Sequence, residues 1–398
     1  MKPVIKVVVA VLITGAVGYW LLARSPQIKR NVALRDSIAY WAAGNLLIHR
    51  QNPYAHLTVL EIERAAGYQD QRPLVLRTPP WSLFLVVEVG LLNAFWAWVF
   101  WILLSIVSLF AGMRLCAKMY GGRTPPNLMT IVGYTFAPIP ACLVSGQMGL
   151  VLMLGVVLFL WLEPRSPFGA GAALILPFAK PHLLMAFWLV LVIWVIHRRN
   201  HQVALGFIST LALTIGVAVA FDLQIFRQYL EMLHAAAIGN EFIPAFSVVL
   251  RLLFFRRLFW VQFIPMAVGV IWCLFFYARN APCWDWRKHG PALAVVSMLV
   301  TPYEWLSDEA ILLPAILQAL ALVYAVRDRL HIRSKIAIVA FALLNLLLLL
   351  ILKSKVPFST GIYFWSSMVW FMWYFQARKW YSQRSTPQER QLLTHPPS

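Results

Sequence analysis

The chain has 398 residues, 61% of them hydrophobic and only 12% charged, with a formal net charge of +19. A soluble domain carries roughly 25% charged residues, so a soluble globular fold is excluded. The positive charge does not signal a nucleic-acid partner, because many Lys and Arg residues stand in short clusters between apolar blocks, as membrane anchors do under the positive-inside rule. Cys116, Cys142, Cys273 and Cys283 have neither CxxC nor Cys/His ligand spacing, which argues against a disulfide framework or a zinc site.

In chain order, residues 1–22 place Lys2 and Lys6 before an apolar run that Arg24 closes. The run is long and no A-x-A-like site follows, so a retained first helix over 4–23 is expected rather than a cleaved signal peptide. A polar stretch follows from Arg24 to Pro80. Apolar blocks then occupy 81–113, 128–144, 147–162, 168–179, 181–197, 203–221, 259–278, 290–302, 309–326, 334–352 and 357–375. One crossing per block predicts an all-α polytopic membrane protein, a single domain over 1–398 with about twelve spans. Block 81–113 is long enough for a tight helical hairpin, and 168–197 is too long for one span, so a break near Lys180 is expected.

With the N-terminus in the cytoplasm, the cytoplasmic connections contain Arg114, Lys118, Arg165, Arg198, Arg279, Arg287, Lys288, Arg327 and Arg329, and a cytoplasmic tail follows over 378–398. That alternation fits the positive-inside rule. The 24–80 loop is itself basic, but loops approaching ~60 residues weigh little in that rule. The external side then gathers the 24–80 loop, Ser145–Gln147, Lys180–His182, a second large loop over 222–257, and Thr301–Asp308. Polar groups at membrane depth are costly and commonly line a site.

Within the first loop, a helix through Arg35–Gly44 puts Leu34, Ile38 and Trp41 on an apolar stripe suited to the membrane surface, with Asp36 and Tyr40 together on another face. Asn52-Pro53-Tyr54 turns the chain, and a second short helix is expected over 55–66.

The order Asp36-x-x-x-Tyr40, Asn52-Pro53-Tyr54 and the Thr78-Pro79-Pro80 entry to the next helix resembles glycosyltransferase family 87. These are bacterial membrane enzymes of C-type glycosyltransferase fold, of which the mycobacterial polyprenyl-phosphate-mannose-dependent mannosyltransferases are familiar members. Ser145-Gly146-Gln147, the Gly/Ala-rich helix ending in Lys180-Pro181, Phe246-Ser247 with Arg251, and Thr301-Pro302-Tyr303 with Asp308 follow in the family's order, so the resemblance covers 4–326. At the late turn, where mycobacterial-type members carry Ser-Pro-x-Ser-Trp and then histidines, this chain keeps Pro302 and Trp305 but has Ser307 and Asp308. The departure bears on the donor-phosphate contacts and the sugar.

The resemblance implies transfer of a hexosyl unit, foremost mannosyl, from a polyprenyl-phosphate sugar to an extracytoplasmic glycan or glycolipid acceptor. The site would face the periplasm or exterior of a bacterial inner membrane. Asp36 is the candidate general base, since a carboxylate within hydrogen-bond reach can take the acceptor's proton. Lys180, His182 and Arg251 are candidates for the leaving phosphate's charge, with Tyr40, Gln147, Trp305 and Asp308 as further substrate contacts. No Asp-x-Asp motif occurs in the external stretches and no diphosphate needs neutralising, so neither a metal nor a cofactor is expected.

Plainer readings stand beside these. Asp36 can be a solvated carboxylate paired with Arg35 or Arg30, Tyr40 an interfacial anchor, Lys180 a snorkelling lysine, His182 a structural histidine, Arg251 an anchor beside Arg256 and Arg257, and Asp308 and Glu304 turn residues. As a whole, the chain can alternatively be a membrane transporter or flippase of a lipid-linked or amphipathic substrate, or a non-catalytic partner of an envelope synthase. The broken helices around 177–181 suit a transporter, although no convincing repeat supports one.

Overall fold

The computed structural model describes residues 35–235 and 242–385, so the expected first helix and the end of the tail lie outside the described residues. The described chain is helical, without a strand among these residues. Two compact units divide it: residues 35–77 with 85–101, and residues 78–84 with everything described from 102 onward.

The first unit is built on α1 (Ser37–Ile48) and α2 (His56–Ala65). Of the stripe expected to lie on the membrane, Leu34 lies outside the described residues, Trp41 is half-buried and Ile38 packs into the protein. Ile38 is 2% exposed and packs against Leu60 and Tyr68, while Ala42 and Leu46 pack on Val59. Leucines and isoleucines at helical spacing serve either purpose, and α2 supplies the partner that makes burial the outcome. The chain leaves α1 through Arg50 in the left-handed region (φ 56°), and Asn52 then accepts from the Tyr54 N–H at 2.8 Å to form the expected turn. Gly44 of α1 lies so close to α3 (Phe84–Gly90) that a Cβ there would meet the Val86 carbonyl.

Block 81–113 is neither a single helix nor an even hairpin. A short turn and α3 precede a break at 91–93, after which comes α4 (Ala94–Tyr120), 27 residues long. Asn93 starts it by accepting from the Trp96 N–H at 3.1 Å.

In the second unit, block 128–144 is broken into α5 (Pro126–Thr135) and α6 (Pro138–Ser145), bent by 48°. Pro138 lacks the N–H that would continue the ladder. Asn345 repairs the gap by accepting from Ala137 N–H at 2.9 Å and donating to the Thr135 carbonyl at 2.7 Å. Next come α7 (Gly149–Leu162) and α8 (Pro167–Ala173), then two short 3₁₀ turns on either side of Lys180, where the sequence places its break. After these follow α9 (Met185–Arg198), α10 (His201–Phe221), α11 (Ile225–Ala235), α12 (Phe246–Phe254), α13 (Ile264–Asn280), α14 (Trp286–Val300), α15 (Leu313–Ala325), α16 (Ile332–Lys353) and α17 (Ser366–Arg384). Block 357–375 is therefore shared between a turn and α17, and α17 continues through Arg378 and Lys379.

Six helices among the described residues are long and apolar enough to cross a membrane, seven counting the bent pair α5–α6. Their exposed faces carry large apolar side chains such as Ile208, Leu213, Ile271, Phe275 and Leu343, as lipid-facing helices require. The chain is a multi-pass membrane protein.

Candidate active site

The candidate site residues fall into both units. In the first, Asp36 is half-buried at the start of α1, and Tyr40 is 4% exposed with its ring 4.6 Å from that of Trp101. Burial first, then the negative charges of Asp70, Glu63 and Asp36, push the Tyr68 hydroxyl up to about 12. Glu63 is fully buried and accepts from the Leu74 N–H at 3.1 Å; burial raises its carboxyl to about 7.

In the second unit, three distant stretches converge on Lys180. Its Nζ donates to Asp308 Oδ1 at 2.7 Å and to Gln147 Oε1 at 3.1 Å, with Lys180 and Asp308 13% and 2% exposed. Each contributor is delivered by a local feature of its sequence. Gly146 ends α6 with φ 75°, a left-handed conformation that only glycine adopts without strain, and this swings Gln147 toward the lysine. Gly149 opens α7 against the Ser307 carbonyl, where a Cβ would collide. Pro177 and Pro181 break the helix around Lys180, which frees backbone groups inside the body.

Those freed groups find partners, as irregular backbone at membrane depth requires. Trp81 Nε1 donates to the Phe178 carbonyl at 2.9 Å and Trp188 Nε1 to the Pro181 carbonyl at 3.1 Å. The Phe187 N–H donates to Ser297 Oγ at 3.1 Å, and Thr301 Oγ1 donates to the His182 carbonyl at 3.0 Å.

The turn 301–308 is clamped in the same way. Ser247 Oγ donates to the Thr301 carbonyl at 2.6 Å, Gln262 Nε2 donates to the Pro302 carbonyl, and the Trp305 N–H donates to Asp308 Oδ2 at 3.2 Å. Asp308 thus holds the turn with one oxygen and Lys180 with the other. The His182 ring lies 4.6 Å from the Tyr303 ring. Arg251, 6% exposed on α12, sits 5.4 Å above the Phe259 ring. Tyr303 and Trp305 pack against the cluster of Ile243, Ala245 and Val248.

Gln147, Lys180 and Asp308 are therefore brought into direct contact, and the turn that carries Asp308 and Trp305 is joined to His182 and to the helix of Arg251. Sequence reasoning missed Glu309. It is 2% exposed and held by Ser366 Oγ and by Trp370 Nε1, the latter at 2.7 Å. Burial, with Glu309 next to it, pushes the Glu304 carboxyl well above the usual range. The available signal was three carboxylates within six residues, Glu304, Asp308 and Glu309, where one apolar block gives way to the next. The partners of Glu309 lie about sixty positions downstream, at Ser366 and Trp370, which no local pattern connects. No group of three or more His, Cys, Asp or Glu side chains with metal-ligand geometry occurs among the described residues.

A helical membrane body with a half-buried lysine bonded to a buried carboxylate and an amide at a broken helix defines a multi-pass membrane protein with a polar site. The chain belongs to glycosyltransferase family 87, whose family model matches residues 78–302, more than half of its length. It is accordingly a membrane glycosyltransferase. The match takes in Gln147, Lys180, His182 and Arg251; it begins downstream of Asp36 and ends before Trp305 and Asp308. No curated protein and no solved structure matches the chain.

Proposed function

We propose that this enzyme transfers a hexosyl unit, foremost mannosyl, from a polyprenyl-phosphate sugar to an extracytoplasmic glycan or glycolipid. Its architecture would be the C-type glycosyltransferase fold with about twelve crossings, in a bacterial inner membrane with the site toward the periplasm. The observation that carries the reading is the state of Lys180. An ammonium has three N–H donors, and two are engaged by Asp308 and Gln147. Among the described residues nothing engages the third, which leaves it for an anion in a site where partial desolvation strengthens the contact.

In the proposed reaction the acceptor hydroxyl attacks the anomeric carbon from the face opposite the phosphate, and Asp36 takes its proton. The carbon–oxygen bond to the phosphate breaks, its electron pair leaves with the lipid phosphate, and the sugar is inverted. Lys180, with His182 and Arg251, stabilises the charge that gathers on the leaving group. Gln147 and Asp308 orient Lys180, while Tyr40 and Trp305 contact the substrates. A single phosphate leaves, so the scheme requires no metal.

The test is the full chain, purified in detergent and supplied with radiolabelled polyprenyl-phosphate mannose and, separately, polyprenyl-phosphate glucose. Consumption of the mannose donor with a labelled glycan or glycolipid product is expected, and Asp36→Asn should abolish it in a folded protein. Undiminished transfer by Asp36→Asn would remove the base assignment. Passage of intact donor across liposomes without covalent change would instead favour a transporter.

A further inference from the structure

The second unit has polar groups at two separate ends. α14 runs from Trp286 to Val300 at the turn of Asp308, a length of roughly 22 Å at 1.5 Å per residue. α7 and α15 likewise each have one end at the Lys180 cluster, through Gln147 and Asp308, and the other far from it, through Glu163 and Leu322. At that far end lies a cavity of about 570 Å³, lined by Arg287, Lys288 and Arg378 together with Tyr381 and Ser382. Its volume falls in the ~300–1,000 Å³ range of ligand sites. Met119, Leu322 and Trp284 form its apolar wall.

The cavity is held open by a fixed frame. Pro291, inside α14, has no N–H to offer the Arg287 carbonyl one turn earlier. That carbonyl instead accepts from Tyr120 Oη at 3.0 Å and from Gln318 Nε2 at 2.8 Å, and Gln318 Oε1 accepts from Tyr374 Oη at 2.6 Å. Four helices are tied together behind the cavity. Arg287 spends its Nε and one terminal nitrogen on the Leu160 and Trp161 carbonyls at 3.1 and 3.2 Å. Arg378 donates to Tyr374 Oη at 3.4 Å and lies 5.4 Å from the Phe276 ring.

The charge balance is positive. Two carboxyl groups also line the cavity. Asp285 is occupied as the cap of α14, accepting from the Arg287 and Lys288 N–H groups at 2.8 and 3.3 Å. Glu163 is pushed up to about 7 by burial and by the neighbouring Asp285. None of the three cations is within ion-pair distance of a carboxylate among the described residues. A basic hollow with an apolar wall, between helix ends of a membrane protein and among basic connections, matches the phosphate-plus-acyl character of an anionic lipid.

We propose that this cavity binds the phosphodiester headgroup of an anionic phospholipid, with Lys288 and Arg378 on the phosphate and Tyr381 and Ser382 beside it. The site is separate from the transferase centre and stands whether or not the donor assigned above is correct.

The test is native mass spectrometry of the full chain in detergent, titrated with phosphatidylglycerol, phosphatidylcholine and inorganic phosphate. Phosphatidylglycerol should be retained over phosphatidylcholine, and inorganic phosphate should not displace it. Lys288→Gln/Arg378→Gln should weaken that retention roughly thirtyfold, and Lys288→Gln alone, at an exposed position, roughly fivefold. Lys353→Gln/Lys355→Gln, which removes two cations elsewhere, should leave it unchanged. Equal retention of both lipids, equal loss in the control variant, no loss in either cavity variant, or displacement by inorganic phosphate would each overturn the proposal.

Discussion

Asp308→Asn removes the charge from the carboxylate that accepts from Lys180 at 2.7 Å while keeping its shape and its acceptor for the Trp305 N–H. The ammonium is then left 13% exposed, with Gln147 as its neutral partner. Removing one member of a buried ion pair costs about 3–5 kcal/mol, because the remaining charge is stranded. Residual exposure of Lys180 puts the expected loss near the lower bound, about 3 kcal/mol. Replacing the lysine as well, in Lys180→Met/Asp308→Asn, strands no charge and keeps the acceptor for the Trp305 N–H, so stability should recover to within about 1 kcal/mol of the parent. Reversible unfolding in mixed micelles measures all the variants, and the same preparations are assayed for transfer. The double variant should be stable yet inactive, which separates holding the fold from meeting the donor phosphate. A double variant less stable than Asp308→Asn would refute the electrostatic reasoning. A stable double variant with parental transfer would refute the role given to Lys180.

Gly171 of α8 sits so close to α10 that a Cβ would meet the Val203 carbonyl, and Gly206 faces the Phe168 carbonyl in the same way. Gly171→Val should therefore cost about 3 kcal/mol or more, since a backbone obstacle cannot rotate aside. Gly216→Ala, with nothing near the added carbon, should leave thermal unfolding unchanged or slightly raised; equal effects at the two positions would contradict the close packing. For Glu63, a carboxyl raised from 4.5 to about 7 binds more protons folded than unfolded. Its contribution is full below about pH 4.5 and is lost as pH rises through 7. Glu63→Gln should abolish this dependence and gain about 3 kcal/mol at pH 8. Hydrogen exchange over residues 56–77 reads it, and a parent protein with flat pH dependence there would count against the burial argument.

Much of the architecture is legible in sequence because it depends on local chemistry. Apolar blocks of spanning length imply membrane helices, and Pro177 and Pro181 mark the break at Lys180 wherever the surrounding helices lie. Other outcomes are decided between segments far apart in the chain. Ile38 at helical spacing suits a membrane face or a protein core equally, and α2 settles it by packing Leu60 against it. The break at Thr135–Pro138 is sealed by Asn345, more than two hundred residues away, and the carbonyl that Pro291 frees is taken up by Tyr120 and Gln318. Glu309 goes unnoticed at the edge of an apolar block until Ser366 and Trp370 enclose it. Helix-forming pattern and backbone breaks are properties of neighbouring residues. Which freed polar group meets which distant side chain is set by packing, and only the tertiary structure decides it.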